Sequence, residues 1–293
     1  QAEKIRRSTK GNTNREKKYL AQKKAKVFAV TSGKGGVGKT NFAINLAISI
    51  RRLGYSVLIF DADIGLANIE ILTGTIIKYT ITDLLLSDKN INEIIGEGPE
   101  GIKILSGGSG FDELSMINRE NINKILREIE KLESTMDFII IDTGAGVSNM
   151  VIDFVMAADE VILITTPDPT SLMDGYTMIK ALTTNGYKGK LNIVTNIVDN
   201  RMEAENIFYK LNKTSENFLN FNLNFLGYLE KTNIIPKAVR NQQPFLLYSP
   251  SSSVSKRINI MALSFIDVHD YDKIEQSKSF SQKLRELFFG RGG

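Results

Sequence analysis

The chain has 293 residues, 42% of hydrophobic type and 24% charged, with a net charge of +4, an ordinary composition for a globular fold with a sizeable core. It has no cysteine and a single histidine, His269, so disulfides, thiolate zinc and iron–sulfur sites, cysteine nucleophiles and histidine-rich metal centres are excluded. No run reaches the roughly 18 apolar residues of a membrane span, and the basic Gln1–Lys26 stretch holds no signal-peptide core, so a soluble, cytoplasmic protein is expected.

From the N-terminus onward, short β-branched or apolar runs mark predicted strands at Val27–Thr31, Val57–Asp61, Ile102–Leu105, Phe138–Asp142, Val161–Thr165, Leu191–Asn196 and Asn224–Tyr228. Amphipathic stretches between them predict helices at Asn41–Leu53, Glu113–Leu132, Ser148–Met156, Leu172–Leu182, Met202–Leu211 and Val254–Val268. Runs as continuously apolar as Phe138–Ile141 and Val161–Ile164 suit strands buried on both faces. The alternation predicts an α/β fold, a single doubly wound, mostly parallel sheet flanked by helices. That domain is assigned to residues 26–268, with a basic N-terminal segment and linker at 1–25 and a C-terminal linker and helix at 269–293. Residues 1–26 carry ten Lys/Arg against two Glu, and residues 278–293 four against one, leaving the body net acidic. Such basic ends suit an anionic surface or a specific partner, or equally solvated, disordered tails. His269, among Asp267, Asp270 and Asp272, reads as part of an acidic surface turn.

The first predicted strand runs into Gly33-Lys34-Gly35-Gly36-Val37-Gly38-Lys39-Thr40, and a helical pattern begins at once with Asn41. This is the phosphate-loop spacing G-x-x-x-x-G-K-[ST] in its strand–loop–helix setting. The glycines let successive backbone N–H groups turn inward on phosphates, Lys39 adds charge and the helix start adds its dipole. The Thr40 hydroxyl suits Mg²⁺. ATP and Mg²⁺ are therefore the expected ligands. Two later strands end in Asp61-Ala62-Asp63 and in Asp142, and the carboxyl ends of strands are where sites of open α/β sheets form. Asp142 suits a role in the magnesium shell.

The second lysine, Lys34, makes Lys34-Gly35-Gly36-Val37-Gly38-Lys39-Thr40 resemble the deviant Walker A motif of the MinD/ParA class. The resemblance implies ATPase activity, with Lys34 reaching a partner subunit's ATP in a homodimer, Asp63 orienting the attacking water and Asp61 beside the metal. It also places an asparagine at the adenine, here Asn196. Asp61-Ala62-Asp63-Ile64-Gly65-Leu66 is similar to the MinD branch, and Asp142-Thr143-Gly144-Ala145-Gly146 to the MinD-like FlhG family of flagellar regulators. Gly107-Gly108-Ser109-Gly110, Ala238–Phe245 and Tyr248-Ser249-Pro250 also resemble that family. The stretch from Gly227, which borders the base in relatives, lacks their proline and acidic residue.

In the last segment Phe280, Leu284, Leu287 and Phe288 recur on one helical face, with Lys283 and Arg285 beside it. A short basic amphipathic helix of this kind suits an anionic bilayer interface, reversibly. A helix packed on the body is the competing reading, and both hold if the helix docks in the monomer and leaves on ATP-driven dimerisation. At the other end, Gln1, Ala2, Ile5 and Arg6 resemble the activator motif D-Q-A-x-x-L-R, with Ile5 for the leucine and the leading Asp absent. The resemblance implies stimulation of an FlhF-type GTPase, and binding to flagellar switch proteins. DNA is disfavoured as a partner, because an apolar Phe280–Phe288 face has no use on phosphates. A DNA-partitioning or other MinD-like positioning ATPase remains the alternative. Metal-cluster carriers with a similar loop use cysteines. A related tyrosine kinase would carry a terminal tyrosine cluster, and a pseudo-ATPase would lack Lys39, Thr40, Asp63 or Asp142.

Overall fold

The computed structural model describes residues 24–63, 68–87, 89–108, 119–266 and 278–290. In chain order the elements are β1 (Lys26–Ser32), α1 (Lys39–Arg52), β2 (Val57–Ala62), α2 (Asn68–Thr73), α3 (Ile81–Leu86), α4 (Ile91–Ile94), β3 (Gly96–Glu97), β4 (Lys103–Ser106) and α5 (Arg119–Thr135). They continue as β5 (Phe138–Ala145), α6 (Asn149–Ala157), β6 (Glu160–Thr165), α7 (Pro169–Thr184), β7 (Lys190–Val198), α8 (Arg201–Leu219) and β8 (Asn224–Glu230). After β8 the described residues form α9 (Ile234–Arg240), α10 (Phe245–Tyr248), α11 (Ser253–Leu263) and α12 (Phe280–Gly290). The strands form one eight-stranded sheet in the order β3-β4-β2-β5-β1-β6-β7-β8. Every pairing is parallel except β3 with β4, a two-residue edge.

The apolar strand runs follow from burial on two faces. In β1, Phe28 and Val30 face one core and Val27 and Ala29 the other. In β5, Phe138 and Ile140 alternate in the same way with Ile139 and Ile141. Helices α1 and α11 cover the first face, and α5, α6 and α7 the second. Side chains that fill both cores leave the backbone polar groups nowhere to go but the ladder, and the helical crossovers between strands make that ladder parallel.

The seven predicted strands are all present, as are the helices predicted at Asn41, Ser148, Leu172, Met202 and Val254. The helix predicted from Glu113 is described from Arg119. The short helices α2, α3, α4, α9 and α10 were not legible, because four to seven residues carry too little periodicity. Their starts follow local chemistry instead: Thr80 and Asn90 each form a reciprocal capping box with Asp83 and Glu93. Gln1, Ala2, Ile5, Arg6 and His269 lie outside the described residues. No helix among the described residues is long and apolar enough to cross a membrane.

Helix α12 lies in a trough between α5 and α6. Phe280 and Leu284, on the face expected at a bilayer, are 1% exposed, and Leu287 and Phe288 pack against the same core. Phe154 of α6 stacks on Phe280 and meets Phe288 edge-on. Ser279 and Gln282 form a reciprocal box at the helix start. The Glu133 carboxylate of α5 accepts from the Phe280 N–H at 2.7 Å, the Ser281 N–H at 3.2 Å and the Ser281 hydroxyl. Lys283 pairs with Asp159 at 2.8 Å. In this conformation the apolar face of α12 is part of the body.

Candidate nucleotide site

Strand order reverses about β1, since the chain runs from β1 out to β2 on one side and from β5 across to β6 on the other. Loops leaving β1 and β6 therefore diverge and open a crevice at the carboxyl ends of the strands. The phosphate loop fills it. Gly36 has φ of 77° and Gly38 of 96°, a left-handed pair that turns successive N–H groups toward one point. Gly33 is glycine for another reason: a Cβ there would fall 2.1 Å from the backbone of Asp174 in α7.

Helix α1 starts without a side-chain cap and without an acidic residue in its first turn. Ser148, Asp168, Asn200 and Ser252 cap the longer helices α6, α7, α8 and α11, whereas the short α9 and α10 are uncapped like α1. An uncapped helix start leaves its N–H groups and dipole for an anion. Lys39, only 6% exposed, sets a buried positive charge beside them. A cavity of about 570 Å³ is lined here by Gly35, Gly36, Gly38, Lys39, Thr40, Asn41, Asp63, Asn68 and Ala145, with Ile71, Leu72 and Val239 as its apolar wall.

Of the three aspartates, Asp63 lines this cavity, while Asp61 and Asp142 are buried. Asp61 and Asp142 are direct register partners on β2 and β5. Burial pushes the Asp61 carboxyl up to about 8, with the neighbouring Asp142 charge adding to it. Burial also raises Asp142, and the Thr40 hydroxyl and Lys39 ammonium offset part of that rise. Both Asp142 oxygens are buried without a partner of normal hydrogen-bond geometry, which native structures rarely leave unexplained. Two adjacent carboxylates and a threonine hydroxyl are an all-oxygen donor set that suits a hard divalent cation. Mg²⁺ thus fits the residues present. Asp63 lines the cavity; its backbone N–H donates to Asp61 at 3.1 Å and its carboxylate accepts from Asn68 at 3.4 Å. A Cβ on Gly144 would come 3.2 Å from the Asp63 oxygen, so that glycine keeps room for it.

Lys34 stands on the opposite rim, lining a second cavity of about 490 Å³ with Asp168, Ile197, Asp199, Glu203 and Lys231. Its ammonium donates at 2.6 Å to both the Asp168 carboxylate and the Thr170 hydroxyl. The Lys34 hydrogen bond holds Asp168 down at about 2. Both side chains are more than two-fifths exposed, so solvent screens the pair and it is readily exchanged. Asn196 lies behind the loop. Its amide nitrogen donates to the Val37 carbonyl at 2.7 Å and its oxygen accepts from the Ile197 N–H at 2.9 Å. Both ends of that amide are engaged within the chain.

The structure therefore gathers Gly33–Asn41, Asp61, Asp63 and Asp142 at one end of the sheet and sets Lys34 at the rim. Sequence reasoning missed Asn68, Asp168 and Thr170. Asp168-Pro169-Thr170 reads as a helix cap, which it also is; nothing in it signals a lysine 134 positions away.

Comparison with known proteins agrees with this geometry. A ParA family profile, described as the NUBPL iron-transfer P-loop NTPase, matches residues 23–266. The antiactivator FleN of Pseudomonas aeruginosa is 33% identical over 236 residues, covering 80% of this chain and 84% of that protein. The flagellum site-determining protein YlxH of Helicobacter pylori is 35% identical over 239 residues, covering 81% and 80%. MinD of Pyrococcus horikoshii, solved with Mg-ADP, superposes with a TM-score of 0.66 at 22% identity, covering 87% of this chain and all of that one. With a phosphate loop, a magnesium-type carboxylate pair and the parallel sheet that brings them together, the chain belongs to the ParA/MinD family of P-loop ATPases, in the branch that holds FleN and YlxH.

Proposed function

We propose that this ATPase is a dimerising switch that sets flagellar number and placement at a membrane surface. The flagellar part rests on the relatives named as an antiactivator and a flagellum site-determining protein, and the absence of cysteine in this chain argues against iron transfer. The observation that carries the switch is Lys34, a cation at the rim of the loop held by two exposed side chains. In the proposed ATP state it leaves Asp168 and reaches the partner subunit's phosphates, so that nucleotide bridges the dimer.

Within each subunit Gly33, Gly35, Gly36, Val37, Gly38, Lys39, Thr40 and Asn41 hold the triphosphate, and Thr40, Asp61 and Asp142 hold Mg²⁺. Bound Mg²⁺ neutralises phosphate charge as it develops. Asp63, steadied by Asn68, positions water in line with the terminal phosphorus. Asn196 contributes to the nucleotide site from behind the loop, through the Val37 carbonyl. Phe280, Leu284, Leu287 and Phe288 are the proposed bilayer face once α12 has left its trough, and two copies in a dimer bind more strongly than one. Gln1, Ala2, Ile5 and Arg6 act on an FlhF-type GTPase, and flagellar switch proteins are further partners.

Sedimentation with anionic liposomes tests this reading, comparing ATP with ADP and the full chain with one ending at Ser277. ATP-dependent pelleting that disappears on truncation, and that Lys34→Ala abolishes together with the dimer in gel filtration, is the expected result. Pelleting independent of nucleotide, or none at all, removes the membrane switch. Normal flagellar number and position after gene deletion removes the flagellar assignment.

A further inference from the structure

We infer that Asn196 is a positioning residue of the phosphate loop: it fixes the peptide between Val37 and Gly38 so that the Gly38 N–H is presented to the triphosphate. No peptide bond among the described residues is cis, and in a trans peptide C=O and N–H point in opposite directions. Asn196 holds the Val37 carbonyl at 2.7 Å across 159 positions of sequence, in a buried bond. With that oxygen drawn back toward β7, the Gly38 N–H of the same plane turns the other way, and Gly38 lines the phosphate cavity. Asn196 itself lines neither that cavity nor the one beside Lys34.

Three further features fit a built clamp. Gly38 has φ of 96°, and a Cβ there would also strike the Asn196 amide nitrogen at 2.5 Å, so glycine is required by both the turn and the clamp. The ladder between β7 and β8 slips at Asn196 and Val198, and Ile197 takes φ of 61°, costly for a β-branched residue. The Asn196 oxygen accepts from the N–H of that strained residue, which fixes the amide orientation with its NH₂ toward the loop. A strained bulge, a glycine and a buried amide are thus spent on one carbonyl.

The inference rests on the loop holding a triphosphate, and the test separates the two. Binding of Mg-ATP, Mg-GTP and inorganic Mg-tripolyphosphate is measured by calorimetry for the full chain and for Asn196→Ala. Tripolyphosphate has no base, so a residue that only reads adenine leaves its affinity untouched. The expected result is an equal loss for ATP and tripolyphosphate, roughly ten-fold for one buried hydrogen bond, with the ATP-to-GTP preference unchanged. Amide exchange at Gly36, Gly38 and Lys39 in the nucleotide-free protein should quicken. Asn196→Asp, which keeps the acceptor for Ile197 but exchanges the donor for a carboxylate that repels the Val37 carbonyl, should quicken the same amides if Asn196→Ala does not fold. Weaker ATP with wild-type tripolyphosphate binding, or unchanged exchange in the loop, overturns the proposal. Failure of the wild-type chain to bind either phosphate ligand would instead remove the loop reading on which it stands.

Discussion

The two ends of the sheet treat their polar groups in opposite ways. At the carboxyl ends of the strands, α1 starts uncapped, Asp142 keeps two buried oxygens without a partner of normal hydrogen-bond geometry, and Asp61 lies against it. At the amino ends, Glu133 spends its carboxylate on the first amides of α12, and its carbonyl accepts from the Ala25 N–H. Asp159 there accepts from the Val27 N–H and the Lys283 ammonium. Both ends bury carboxylates, yet only one satisfies them. Burial makes the Asp61 and Asp142 pair costly to ionise, so the first end suits a cation and an anion that arrive later. The second end is complete as it stands, and what it holds is a helix.

The largest effect that tests this contrast is at Lys39. Lys39→Ala should lower kcat for ATP by roughly 100-fold or more, the usual scale for removing a preorganised phosphate or oxyanion donor; a phosphate-release assay checks it. Fold-level stability should be far less affected.

The carboxylate pair gives a pH signature. The folded values of Asp61 and Asp142 are raised above those of the unfolded chain. Their contribution to stability is therefore full below pH 4 and lost as pH rises through the folded values. The nucleotide-free protein should melt at progressively lower temperature from pH 5 to pH 8, and Asp61→Asn should flatten that slope. Mg-ADP should displace protons at pH 7, seen as a binding enthalpy that varies with the buffer. A flat melting curve would mean the pair is not buried as described.

At the other end, Glu133→Ala leaves the Phe280 and Ser281 amides of α12 without their acceptor. It should destabilise docking of α12 by about 1–3 kcal/mol, read as lost exchange protection across residues 280–290. Phe280 and Leu284 hold the helix with about 1.5–3 kcal/mol each on burial, so Leu284→Asp should release it more fully. Smallest is Asp168→Asn. The pair is exposed at both side chains, so the melting temperature should stay unchanged, while Lys34, freed of its cis partner, forms the ATP-dependent dimer at lower protein concentration in analytical ultracentrifugation. Weaker dimerisation would mean Asp168 contributes to the dimer itself.

Much of this was legible before any coordinates. The apolar runs and the loop spacing place β1, the glycine turn and α1 in order, because those signals are local. The three aspartates are legible as strand ends, and parallel strands bring such ends to one edge. The face of α12 is legible too, since Phe280, Leu284, Leu287 and Phe288 recur at helical spacing. Its destination is not: the same pattern serves a bilayer and a trough between two helices equally well.

By itself, then, the sequence determined the sheet, the phosphate loop and the identity of the charged groups, through periodicity and short-range backbone preference. Tertiary structure alone decided which groups meet: Lys34 with Asp168, Asn196 with Val37, Glu133 with the start of α12. Each contact joins residues more than 130 positions apart. Partners so distant are chosen by how the strands are ordered, and that order reflects the packing of both cores at once rather than any local signal.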